Sequence, residues 1–180
     1  MRIKRENCTG LVIDIQEKLF PVMADREVLK TNCIKLLEGL SILGIPTVFT
    51  QQYSKGLGET IPEISSLYQT FSHIEKMTFS CMDEPAYASY LDQSRKSIVL
   101  ICGIESHVCV LQTAIDLQEK GYQPVVISDC ISSRSLTEKQ IALNRLNQEG
   151  IRISTLESIL FELTRSASAP EFRAISKIVK

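Results

Sequence analysis

The chain has 180 residues, 44% of them hydrophobic, and its 20 Lys+Arg against 21 Asp+Glu give a formal net charge of −1. A single domain over residues 1–180 is the simplest expectation, because one core commonly serves ~100–200 residues, and an apolar fraction of this size excludes general disorder. The balanced charge argues against a basic nucleic-acid platform or a polybasic membrane surface, and 6% aromatics with no Trp leave little for base stacking.

The N-terminal stretch MRIKRENCTGLVIDIQ is basic and then apolar, but it meets Asp14 with no small-residue cleavage site, so it reads as the entry to a strand and not as a signal peptide. No window approaches the ~18 apolar residues that span a bilayer. Cys8, Cys33, Cys81, Cys102, Cys109 and Cys130 are scattered, with no CxxC pair and no Cys/His cluster at zinc spacing. That usage points to free thiols in a reducing cytoplasm.

Along the chain, short apolar runs alternate with amphipathic stretches. Cys8–Ile15 is a strand candidate, and Arg26–Leu43 has helical apolar spacing that Gly44 and Pro46 terminate. Thr47–Gln52 reads as a second strand, followed by a loop over Tyr53–Pro62 with Gly56 and Gly58. Glu75–Phe79 is a weaker extended candidate before a short helix at Glu84–Leu91. Ser97–Cys102 is a continuous apolar run, as expected of a strand covered on both faces. Helix Val108–Lys120, strand Gln123–Asp129, helix Thr137–Glu149, strand Ile151–Thr155 and helices at Glu157–Leu163 and Pro170–Val179 complete the order.

Repeated strand–helix–strand units imply a mainly parallel sheet of about six strands with helices on both faces, an α/β Rossmann-like three-layer α/β/α sandwich. Ligands bind such sheets at the carboxyl ends of the strands, which directs attention to Asp14, Gln51–Gln52, Lys76, Gly103–Cys109 and Asp129.

The segment Ile101–Ala114, ICGIESHVCVLQTA, runs from an apolar strand through a short turn into a helix with Cys109 in its first turn. A thiol there feels the positive helix end and unpaired N–H groups, which favour thiolate and could receive an oxyanion. The competing reading is a small buried hydrophobe. Cys102 and Cys130 suit strand packing, and Cys8, Cys33 and Cys81 have no setting comparable to that of Cys109. Asp14, closing an apolar strand, is costly to bury unless paired; it could cap a following helix, meet a surface Lys or act as general base for a thiol. Lys76 in HIEKMTFS poses the same choice, and most lysines are solvated surface groups and not site residues. A cysteine phosphatase is excluded, since Ile115 stands where its phosphate-binding arginine is needed.

VIDIQ around Asp14, EKMTFS around Lys76 and CGIESHVCVLQTA around Cys109 resemble, in order and spacing, the isochorismatase-like cysteine hydrolase superfamily. TQQYSKGLGETIPEI and SDCISSRS resemble its isochorismatase domain-containing protein subfamily. The resemblance implies a catalytic triad of Asp14 as proton acceptor, Lys76 as stabiliser of the charged pair and Cys109 as nucleophile. It also implies a cis peptide at Ile104–Glu105 and an oxyanion hole from the backbone N–H groups of Glu105 and Cys109. Ser106 stands at the family's usual threonine position.

Nicotinamidases of this superfamily hold a metal through an Asp-x-His after the second strand, where this chain reads Gln51-Gln52-Tyr53-Ser54. No metal and no cofactor are therefore expected. True isochorismatases lack the nucleophilic cysteine, so Cys109 counts against that activity. Gln16, Gln52, Phe20, Phe79 and Ser106 are candidate substrate contacts; for the two glutamines the competing role is binding loop backbone, and for the two phenylalanines it is core packing. His107 follows the turn.

The expectation is a metal-independent hydrolase of a small amide or related C–N bond, with a small-molecule substrate, no nucleic-acid or membrane partner, and self-association into a dimer or larger ring. The alternative is a non-enzymatic scaffold that uses the same fold to bind protein or small molecules.

Overall fold

A computed structural model describes residues 2–180. Six strands form one all-parallel sheet: β1 (Cys8–Ile13), β2 (Thr47–Gln52), β3 (Ile74–Lys76), β4 (Ile98–Ile104), β5 (Gln123–Ser132) and β6 (Arg152–Ser154). Their order is β3-β2-β1-β4-β5-β6, the doubly wound arrangement expected from the alternation of elements. Eight helices accompany them: α1 (Arg26–Ile42), α2 (Ser54–Leu57), α3 (Pro62–Ser65), α4 (Pro85–Ser94), α5 (Leu111–Glu119), α6 (Leu136–Gln148), α7 (Leu156–Thr164) and α8 (Phe172–Val179). Among the described residues no helix is long and apolar enough to cross a membrane.

The period-2 alternation of the strands sorts their side chains into two cores. Val12, Phe49, Leu100, Cys102 and Val125 pack with α1, α3, α7 and α8. Leu11, Ile13, Val99, Ile101 and Val126 pack with α4, α5 and α6 on the other face. Both faces being covered, β1 and β4 are buried at every position, which accounts for their largely apolar sequence.

Several bounds differ from those read in the sequence. β1 stops at Ile13 because Asp14 turns into the left-handed region at φ 51°. The extended segment after the loop is only Ile74–Lys76, since the chain then bends to send backbone carbonyls back toward Lys76. The expected loop over Tyr53–Pro62 holds one helical turn, α2, at its start. β5 runs three residues past Asp129, through an irregularity in its pairing with β4. Ser106–Val110 form a π-helical turn ahead of α5, so Cys109 lies in that turn and not in the first turn of an α-helix.

Gly103 has φ +120°, and a Cβ there would stand 2.6 Å from Ile13 N and closer still to Ile13 O. Strand β4 can lie this close to β1 only without a side chain at that position. Gly44 also has positive φ, at +67°, but faces open space. Gly103→Ala should therefore cost at least about 2 kcal/mol in urea unfolding, while Gly44→Ala costs about 1 kcal/mol for backbone strain alone. Equal midpoints for the two variants would contradict the close approach.

Candidate active site

The order of the sheet reverses between β1 and β4, and chains leaving these neighbours diverge to opposite sides, opening a crevice at their carboxyl ends. On the last shared rung, Ile74, Thr50, Ile13 and Gly103 lie side by side across β3, β2, β1 and β4. Asp14 follows Ile13 directly, Lys76 lies two residues beyond Ile74 beside Gln52, and the turn after β4 carries Cys109. Three side chains distant in sequence thus meet at one sheet edge.

Lys76 Nζ is 2.7 Å from Asp14 Oδ2, and both side chains are fully buried. Lys76 Nζ is also 3.8 Å from Cys109 Sγ. A dry ion pair survives only if its remaining hydrogen-bonding capacity is met. Thr50 Oγ1 donates to Asp14 Oδ1 at 2.8 Å. Lys76 Nζ donates to Gln52 Oε1 at 2.7 Å, to Thr78 O at 3.1 Å and to Phe79 O at 3.4 Å. Gln52 Nε2 in turn donates to Met77 O, which fixes the amide.

Burial pushes the Asp14 carboxyl above the usual carboxylate range, although Lys76 and the hydrogen bonds from Lys76, Thr50 and Cys109 pull it down. Burial pulls Lys76 down, but Asp14 and the neighbouring thiols outweigh it and leave the ammonium above its ordinary value. Burial and then Asp14 push the Cys109 thiol up to about 12, against the opposing pull of Lys76. The setting therefore favours the protonated thiol over the thiolate expected from the turn alone. Desolvation and an adjacent carboxylate outweigh the turn dipole and the ammonium. The arrangement instead holds a protonated sulfur beside a carboxylate able to accept its proton.

The peptide bond between Ile104 and Glu105 is cis. Glu105 is itself paired through its carboxylate with Arg134 at 3.3 Å. Ser106 is buried in the π turn, and its hydroxyl has no hydrogen-bond partner among the described residues. His107 Nδ1 bonds Ser133 Oγ at 2.9 Å and is turned to β5's end.

Other candidates occupy different settings. Gln16 spends its side-chain amide on loop backbone: it donates to Gln52 O and Gly58 O and accepts from Gln52 N. Phe20 belongs to the core on the α1 face, with Lys30 Nζ over its ring. Phe79 is 56% exposed. Asp129 accepts from Leu156 N at the start of α7.

Sequence reasoning missed Thr50 and Cys81. The Cys81 thiol lies 3.9 Å from Thr50 Oγ1, and the Cys81 backbone N–H donates to Thr113 Oγ1. The available signal for Thr50 was a hydroxyl at a buried position two residues before Gln52, hence on the same strand face.

At the end of β2, Gln51 donates to Thr60 Oγ1 and Gln52 holds Lys76, so the residues present there do not fit a metal. Among the described residues no group of three or more His, Cys, Asp or Glu is placed to hold a metal ion.

Lys76→Met should destabilise the fold by about 3–5 kcal/mol, because it strands a buried carboxylate. Lys76→Met with Asp14→Asn should recover much of that loss, and a double-mutant cycle in urea measures it. Additive single effects would contradict the pairing.

The comparisons with known proteins agree with this architecture. Mouse (Mus musculus) isochorismatase domain-containing protein 2A is 38% identical over 180 residues, covering 99% of this chain and 85% of the mouse protein. The solved structure of the MAR1 ribonuclease of Caenorhabditis elegans has a TM-score of 0.92 at 34% identity, covering 99% of this chain and 92% of the other. YcaC of Escherichia coli, described as an octameric hydrolase of unknown specificity, shares the fold with a TM-score of 0.86 at 20% identity, covering 98% of this chain and 95% of its own. The model of the isochorismatase domain matches residues 9–158. With a family match over most of its length and a relative aligned almost end to end, the chain belongs to the isochorismatase domain family.

Proposed function

We propose that the protein is a metal-independent cysteine hydrolase acting on a small amide or related C–N bond, with Asp14, Lys76 and Cys109 as one reacting unit. The observation that carries this reading is the contact of a buried carboxylate, ammonium and thiol, with Lys76 Nζ at 2.7 Å from Asp14 and 3.8 Å from Cys109.

In the first half-reaction the Cys109 thiol gives its proton to Asp14 as the sulfur attacks the carbonyl carbon. Lys76 keeps the net charge of the cluster near zero throughout, so no bare anion forms in the dry site. The backbone N–H groups of Glu105 and Cys109 receive the carbonyl oxygen as it becomes anionic. When the tetrahedral intermediate collapses, the C–N bond breaks and the proton held by Asp14 passes to the leaving nitrogen. An acyl-thioester remains on Cys109. In the second half-reaction Asp14 takes a proton from water, the resulting hydroxide attacks the thioester carbonyl, and the C–S bond breaks. Asp14 then returns the proton to sulfur, and the carboxylic product departs.

Lys76 is consumed by Asp14, and Glu105 is paired with Arg134, so neither offers a free charge to a substrate. A neutral acyl group suits this setting best. The C. elegans neighbour is described as a ribonuclease. Phosphodiester cleavage is less well supported for this chain, because the buried ammonium of Lys76 is already neutralised and His107 is engaged with Ser133. Self-association belongs to the same reading: Leu136 and Ile141 leave apolar surface on α6, and the E. coli relative is an octamer.

The test is ammonia or amine release from a panel of small neutral amides. Wild-type protein should turn over at least one, and Cys109→Ala should lose roughly a thousandfold or more while keeping its circular dichroism. Undiminished turnover by Cys109→Ala would remove the nucleophile from the reading.

A further inference from the structure

We propose that Thr50 is a positioning residue for the Asp14 base, its hydroxyl holding one carboxylate oxygen so that the other faces Lys76 and the thiol. The proposal rests on the reading of Asp14 as proton acceptor given above.

Thr50 sits in the interior of the sheet, 1% exposed, on a rung whose other members are Ile74, Ile13 and Gly103. A valine would fill that place without the cost of burying a hydroxyl. The hydroxyl is spent locally on the site: Thr50 Oγ1 donates to Asp14 Oδ1 at 2.8 Å and lies 3.9 Å from the Cys81 thiol, which can donate to it. Cys81 is itself anchored to α5 by its N–H bond to Thr113 Oγ1. With its acceptor side facing a thiol, Thr50 has a single proton to give, and Asp14 receives it.

The two oxygens of Asp14 therefore have different partners. Oδ1 is tied to Thr50, and Oδ2 meets Lys76 at 2.7 Å. The titratable groups facing Asp14 are Lys76 from β3, Cys109 from the π turn and Cys81 from the turn ahead of α4. Burial drives the carboxyl toward its protonated form, and the Thr50 hydrogen bond opposes that drive. Without the hydroxyl, Asp14 takes up a solvent proton at higher pH and ceases to be available to the thiol.

The experiment follows alkylation of Cys109 by iodoacetamide, read by peptide mass spectrometry from pH 4.5 to 9, and needs no substrate. In Asp14→Asn the rate should follow only the small thiolate fraction, about tenfold per pH unit, whereas in wild-type protein it should hold level above a midpoint set by Asp14 and fall below it. Thr50→Val should move that midpoint up by roughly one pH unit, because a hydrogen bond to a charged group is lost. Thr50→Ser, which restores the hydroxyl, should keep the wild-type midpoint. Thr50→Ala carries the same expectation as the valine variant if that variant does not fold. A Thr50→Val or Thr50→Ala midpoint equal to wild type, with no such midpoint in Asp14→Asn, overturns the role of Thr50. The wild-type profile retained in Asp14→Asn, level stretch and midpoint included, overturns the reading of Asp14 as base, and with it this proposal.

Discussion

A carboxylate and an ammonium held 2.7 Å apart with no access to water are the constraint around which this end of the molecule is built. Removing two charges from solvent costs several kcal/mol each, and their mutual attraction offsets this only when every remaining donor and acceptor is engaged. Thr50 engages one oxygen of Asp14, while Gln52 and the carbonyls of Thr78 and Phe79 engage the ammonium. None of the four belongs to the reacting trio. Together they explain why β2 ends in polar residues and why the chain bends sharply after Lys76.

The sheet supplies the distances. Because β1 and β4 are neighbours at the reversal of strand order, Asp14 and the Cys109 turn emerge side by side yet from chains that then separate. Gly103 lets β4 lie against the Ile13 backbone, and the π turn that follows carries Cys109 back over the crevice. Lys76 arrives from the sheet's edge, where a three-residue strand is enough to fix its register against Gln52. The same burial that brings the three groups together also keeps the sulfur protonated. In the proposed reaction, proton transfer to Asp14 then accompanies attack and does not precede it.

Much of this was legible before any coordinates. Alternating apolar runs and amphipathic stretches specify a parallel, doubly wound sheet, and polar residues that close apolar strands mark where its chemistry lies. Asp14 stood out because a lone carboxylate there is expensive, and Cys109 because it follows a strand through a short turn. Other features were not legible. Thr50 and Cys81 look like ordinary strand and loop residues, since only in three dimensions does the hydroxyl meet Asp14 and the thiol meet that hydroxyl. Gln16 carries amide groups suited to a substrate, and only the fold shows them spent on Gln52 and Gly58 backbone. The protonation of Cys109 was misjudged for a physical reason: sequence shows the neighbouring turn but not the depth of burial, and burial is the larger influence.

The central claim is that Cys109 becomes covalently acylated with Asp14 as its proton acceptor. The most direct measurement is intact-protein and peptide mass spectrometry after rapid acid quenching with a reactive amide or anilide. The account expects one acyl group, located on Cys109, which decays in water as product forms and is absent in Asp14→Asn. Product release with no acyl group ever found on Cys109, and at an undiminished rate in Asp14→Asn, would contradict it.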